Sequence, residues 1–209
     1  MRITLLSSIL LIIPSIINAQ DLEMLVGYQN QNGTIKDSSN EIDLDMTGYT
    51  IAGRLDISEQ LGLDFGYGSG EASVNIGGTA TDLDMTSSMI GVSYLIYNSL
   101  DGIKGRGNKS SVSLLLTDTE LSAGSISQKG SSEYLSYSAE FPVMPRLTTL
   151  FSASTRLNSG SNYDADLGVS YYYWSNKNSI NLEYGVDRSD EDGVQTNGNT
   201  LYVTFSFKN

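Results

Sequence analysis

The chain has 209 residues, of which 39% are hydrophobic, and it contains neither cysteine nor histidine. Acidic residues number 24 against 12 basic ones, a net charge of −12 at pH 7, so it lacks the basic footprint that phosphate binding needs, which argues against a nucleic-acid partner. The missing cysteine excludes disulfides and thiolate-bound metal, and the missing histidine excludes Ser-His and Asp-His catalysts and imidazole-bound metal.

The chain opens with Arg2, an apolar run from Ile3 to Ile17, and Asn18-Ala19-Gln20. That is the charged, apolar, small-residue order of a secretory signal peptide, expected over residues 1–19 with cleavage after Ala19. The run is shorter than the roughly 20 residues of a membrane helix and contains Pro14. No cysteine follows the cut, so a lipoprotein is not expected. Residues 20–209 then form one exported domain.

Along that domain the recurring signal is period-two alternation between turn residues. Leu61-Gly62-Leu63-Asp64-Phe65-Gly66-Tyr67 places large apolar groups at odd positions, and Leu201, Val203, Phe205 and Phe207 repeat the pattern at the end of the chain. Ten strands are read at about 23–30, 47–57, 61–68, 86–97, 110–117, 133–143, 147–156, 164–174, 179–187 and 199–207. Eight is the alternative if the hairpin around Ser110–Thr117 is not one. The joins after the second, sixth and eighth strands are short, and those after the first, third, fifth and ninth are read as loops of about ten residues or more. The pentapeptide DLDMT occurs at Asp43–Thr47 and again at Asp82–Thr86, each copy leading into a descending strand.

Charges at mid-strand share the polar parity: Arg54, Asp56, Asp64, Glu140, Arg156, Asp166, Glu183 and Asp187 never fall on the apolar side. Hydrocarbon imposes this rule, since a charge on the lipid face costs about 2–4 kcal/mol at mid-membrane. A soluble β-sandwich would alternate too, but aromatics gathered near both strand ends match the two interfaces of a membrane. The expected fold is therefore all-β: a closed, antiparallel, up-and-down transmembrane β-barrel.

These features together resemble the small outer-membrane barrels of Gram-negative bacteria, the OmpA-type, OmpX-type and opacity-like group, over the whole exported domain. The resemblance rests on pattern and implies fold and location in the cell outer membrane, reached with the outer-membrane assembly machinery. The group commonly ends on an aromatic residue; here Lys208 and Asn209 follow Phe207.

Carboxylates and two lumen arginines remain as candidates for chemistry. Pairing Ile57 with Leu61 sets Arg54 opposite Asp64, an expected ion pair. Pairing Trp174 with Ser179 sets Asp166 opposite Asp187, with Glu183 nearby and Arg156 close to Asp164. Arg156 is the cation expected to sit between the facing carboxylates, ahead of a divalent ion. No catalytic set, cofactor or resident metal is expected. Asp43, Asp45, Asp82 and Asp84 are expected above the membrane, as solvated acids or as contacts to divalent cations that bridge lipopolysaccharide. Two readings of function follow. One is a structural or surface-interaction protein meeting lipid, lipopolysaccharide, ions or host surface molecules through acidic loops. The other is a narrow, cation-preferring channel. A lipid-modifying enzyme is disfavoured by the missing histidine.

Overall fold

The computed structural model describes residues 22–36, 41–76, 79–99, 107–157, 160–173, 178–191 and 194–208. The expected leader and Trp174 lie outside them. Ten strands follow one another: β1 (Leu22–Lys36), β2 (Glu41–Asp56), β3 (Leu61–Ile76), β4 (Thr79–Asn98), β5 (Lys109–Ala123), β6 (Ile126–Met144), β7 (Leu147–Leu157), β8 (Ser161–Tyr172), β9 (Asn178–Glu191) and β10 (Val194–Lys208). Each pairs antiparallel with its sequence neighbours, and β1 pairs with β10, so the sheet closes on itself. The segment around Ser110–Thr117 is a full strand, which settles ten over eight. Leu114 and Leu116 point outward there, 55% and 44% exposed.

The pleat divides the side chains. Outward stand Val26, Ile51, Ile90, Val92, Leu167, Leu182 and Phe205, all exposed, with Tyr94 and Tyr171 toward the ends of their strands and Tyr49 and Tyr67 near mid-strand. Inward stand Ser93, Ser170, Asn181, Thr200, Thr204 and Ser206, all buried. Apolar outside and polar inside is the reverse of a water-soluble domain and fits a surface selected by hydrocarbon. The β2–β3 turn is held by Ile57 N–H donating to Leu61 O at 2.8 Å and by Leu61 N–H donating to Ser58 Oγ at 3.0 Å. At the same end the β6–β7 register slips between Pro142 and Met144, where Pro142 has no N–H to give the ladder.

The opposite end corrects the expected long loops. The ladders continue to Lys36 opposite Glu41, Ile76 opposite Thr79, Ala123 opposite Ile126 and Glu191 opposite Val194. β5 turns into β6 through Gly124 and Ser125, with Gly124 in the left-handed region at φ 60°, which a glycine adopts without strain. Segments without apolar alternation outward are thus strands still, extended past the apolar band. By contrast β7 and β8 have 11 and 12 residues against 20 in β4 and 19 in β6, so this wall is low on one side.

In the tall part the polarity of the pleat inverts. Along DLDMT the aspartates and threonine keep the outward parity of Tyr49 and Ile51, while Leu44 and Met46 keep the inward parity of Ala52 and Arg54. Register repeats this on β4: Leu83 lies opposite Ala72, and Asp84 opposite Glu71. Asp43, Asp45, Asp82 and Asp84 are exposed, and Leu44, Met46, Leu83 and Met85 are half-buried.

Candidate functional site: the lumen and its outer mouth

Near the chain termini the lumen is crossed by ion pairs. Arg54 faces Asp64 across the β2–β3 register, as expected, yet its Nε donates to Asp56 Oδ1 at 2.9 Å. Lys208 Nζ lies 3.8 Å from the other Asp56 oxygen, and Ser206 donates to Glu23 Oε1 at 2.7 Å. A side chain at Gly62 would collide with Arg54 Nε at 2.6 Å, so the missing Cβ leaves room for the guanidinium to lie across the lumen. Lys109 stands opposite Glu140 on β5 and β6. Of this network, Arg54 and Asp64 were expected as site residues. Glu23, Lys109 and Lys208 were not, because Leu25 disguises the polar parity of β1 and the other two sit at strand ends. Their signal is parity alone: each is an even number of residues from an inward neighbour.

Higher in the lumen the register corrects a second expectation. Asp187 faces Asp164, and Asp166 faces Gly185, so Asp166 and Asp187 are not opposite each other. Tyr172, not Trp174, pairs with Ser179; the β8–β9 connection is two residues longer than the sequence suggested, which shifts register while keeping the parity. Asp166 accepts from Ser152 Oγ at 2.6 Å, and Asp187 accepts from Gln31 Nε2 at 3.0 Å. Arg156 lies 5.9 Å from the centre of the Tyr134 ring, and its backbone N–H donates to Asn162. It shares an upper cavity with Asp164 and Asp187, while Asp166 lines a deeper one.

Two cavities open here. One of about 300 Å³ is lined by Gln31, Arg156, Asp164, Asp187, Arg188 and Tyr202 among others, and does bring Arg156 and Asp164 together as expected. The deeper one, of about 240 Å³, is lined by Leu25, Thr50, Asp166, Glu183, Tyr202 and Thr204 among others. Tyr202 borders both, standing between the mouth and the deeper lumen. Among the described residues no three acidic side chains converge as a metal-binding set.

On the outer face, register aligns the acids in rows: Asp45, Ser73 and Asp82 across β2, β3 and β4, then Thr47, Glu71 and Asp84. Asp118 and Glu120 of β5 follow, with Thr86 opposite Glu120. Lys36 pairs with Glu41 at 3.4 Å and Lys129 with Glu120 at 3.1 Å, which leaves the surface acidic.

No family model and no curated protein sequence matches the chain. Solved structures do. The translocator domain of the autotransporter NalP from Neisseria meningitidis superposes with a TM-score of 0.55 at 11% identity, covering 98% of this chain and 95% of that one. The outer-membrane protein OprG from Pseudomonas aeruginosa gives 0.50 at 8% identity, covering 91% and 96%. An outer-membrane channel of Pseudomonas putida F1 gives 0.50 at 13% identity, covering 92% and 97%. At these identities the likeness is one of fold, and the chain is a closed, ten-stranded antiparallel barrel of the outer-membrane type.

Proposed function

We propose that this chain is exported to the outer membrane and acts there in surface interaction, not catalysis, through the acidic outer face of its tall hairpins. The observation that carries this reading is the set of aligned acids on β2–β5 immediately above the apolar band, including both copies of DLDMT. At that level a barrel meets the anionic headgroups of lipopolysaccharide, and paired carboxylates recruit the oxygen-liganded divalent ions that bridge anion to anion. No complete protein cage is needed, since lipid phosphate supplies the remaining oxygens. The test is retention of lipopolysaccharide by the purified barrel with and without Mg²⁺. Replacing Asp43, Asp45, Asp82 and Asp84 by Asn is expected to reduce Mg²⁺-dependent retention severalfold. Retention unchanged by the four substitutions removes the reading.

A second reading, a narrow cation-preferring channel, draws on the two cavities and on Asp164, Asp166, Glu183 and Asp187 in their linings. Planar-bilayer recording tests it. Stepwise cation-selective currents, enlarged by Tyr202→Ala, support conduction; silence from both proteins rejects it.

A further inference from the structure

The inverted pleat has a second face. While the DLDMT aspartates look outward, Leu44, Met46, Leu83 and Met85 look toward the barrel axis, together with Val74 and Leu121 of the strands beside them. All six are half-buried, as side chains on a concave wall are. Below the apolar band's rim the inward face is mixed, with Ser, Thr, Asn and charged groups beside Leu25, Met89, Leu115 and Leu150. At the top the inward positions of β2–β5 lose the charges and keep the apolar groups. Methionine and leucine together make an adaptable apolar surface. The wall is low at β7 and β8, which leaves this surface reachable from outside.

The charges decide what fits. Gln31 pairs with Met46 and donates to Asp187, which joins the apolar wall to the acidic lumen at one level. Asp164 and Asp187 share the upper cavity with Arg156 and Arg188, while the deeper cavity adds Asp166 and Glu183 with no basic residue in its lining. On the other face of the same sheet stand Asp43, Asp45, Asp82 and Asp84. The upper cavity is balanced, two acids against two arginines, while the deeper cavity and the outer face are acidic. The mouth as a whole therefore favours a cationic amphiphile over an anionic one.

We propose that the DLDMT repeat builds an apolar vestibule at the outer mouth for amphiphiles with a cationic head. The hydrocarbon body lies against Leu44, Met46, Leu83 and Met85, and the ammonium points down toward Asp187 and Asp164. This goes beyond the surface-interaction reading and shares with it only the placement of the mouth outside the bilayer.

The barrel refolded in lipid nanodiscs with methyl-labelled methionine supplies its own controls. Met46 and Met85 report the vestibule, Met24 reports the outer lipid-facing side and Met144 the opposite end. Octylammonium is expected to shift the Met46 and Met85 methyls saturably, with octanoate at least about tenfold weaker. Asp164→Asn with Asp187→Asn is expected to weaken octylammonium about fivefold and to leave octanol within about twofold. Leu44→Asn with Leu83→Asn is expected to abolish all three. Octanoate binding as well as octylammonium, or Met24 shifting in step with Met46, overturns the proposal. Both comparisons are made on the unaltered chain and hold even where the Asn variants fail to fold.

Discussion

Side by side on one strand, Leu182 and Glu183 point in opposite directions, and the surrounding medium makes one intolerant of charge and the other indifferent to its loss. Leu182 is 48% exposed, between Val169 and Val203 on the outer face near the middle of β9. Leu182→Arg is expected to cost about 2–4 kcal/mol, the cost of a cation at the hydrocarbon midplane. Glu183→Gln removes a charge from the lumen and keeps the shape, so its expected cost is below about 1 kcal/mol. Urea unfolding of the two variants in the same lipid checks the order; equal losses would mean that the outer face is not in hydrocarbon. Parity of this kind was legible in the sequence, because each mid-strand charge alternates with an apolar neighbour and a single residue of slip would reverse every assignment.

Strands were legible where they cross the apolar band and illegible above it. Alternation of apolar residues marks a strand only while one face meets hydrocarbon, and beyond Tyr49 or Tyr67 that condition ends. The ladder nevertheless runs on through Asp43 opposite Thr34 and Asp45 opposite Asn32, so acidic segments read as loops are hydrogen-bonded hairpins. The register of β8 against β9 was missed for a different reason: turn length, not hydrophobicity, sets it, and nothing local in 173–177 fixes the count. The extended ladders predict slow hydrogen exchange for the amides of Asp43–Met46, Ala72–Val74 and Asp84–Met85, which alternate between two paired neighbouring strands. Protection at least about a hundredfold above that of an unstructured loop is expected in nanodiscs. Exchange at loop rates throughout would return these segments to the loops that their composition suggested.

The barrel holds together only if its first and last strands meet. That seam runs from Glu23 opposite Lys208 to Lys36 opposite Gln195, and it brings together residues nearly the full described chain apart. Its long sequence separation makes it the costliest pairing in loop entropy, and without it both β1 and β10 present bare edges in hydrocarbon. Val203 sits near its middle, between Tyr28 and Leu182, so β10 is bonded on both sides there. Val203→Pro takes one N–H out of a ladder where no water can replace it. Gln195 makes the same pairing at the exposed outer end, where water is available. The expected result is loss of the compact, heat-modifiable gel band for Val203→Pro and its retention for Gln195→Pro. If both variants keep the band, closure does not depend on the β1–β10 ladder. If both lose it, the outer end of the seam is as essential as its centre, and the hairpins above the apolar band are part of the folding unit instead of an extension built upon it.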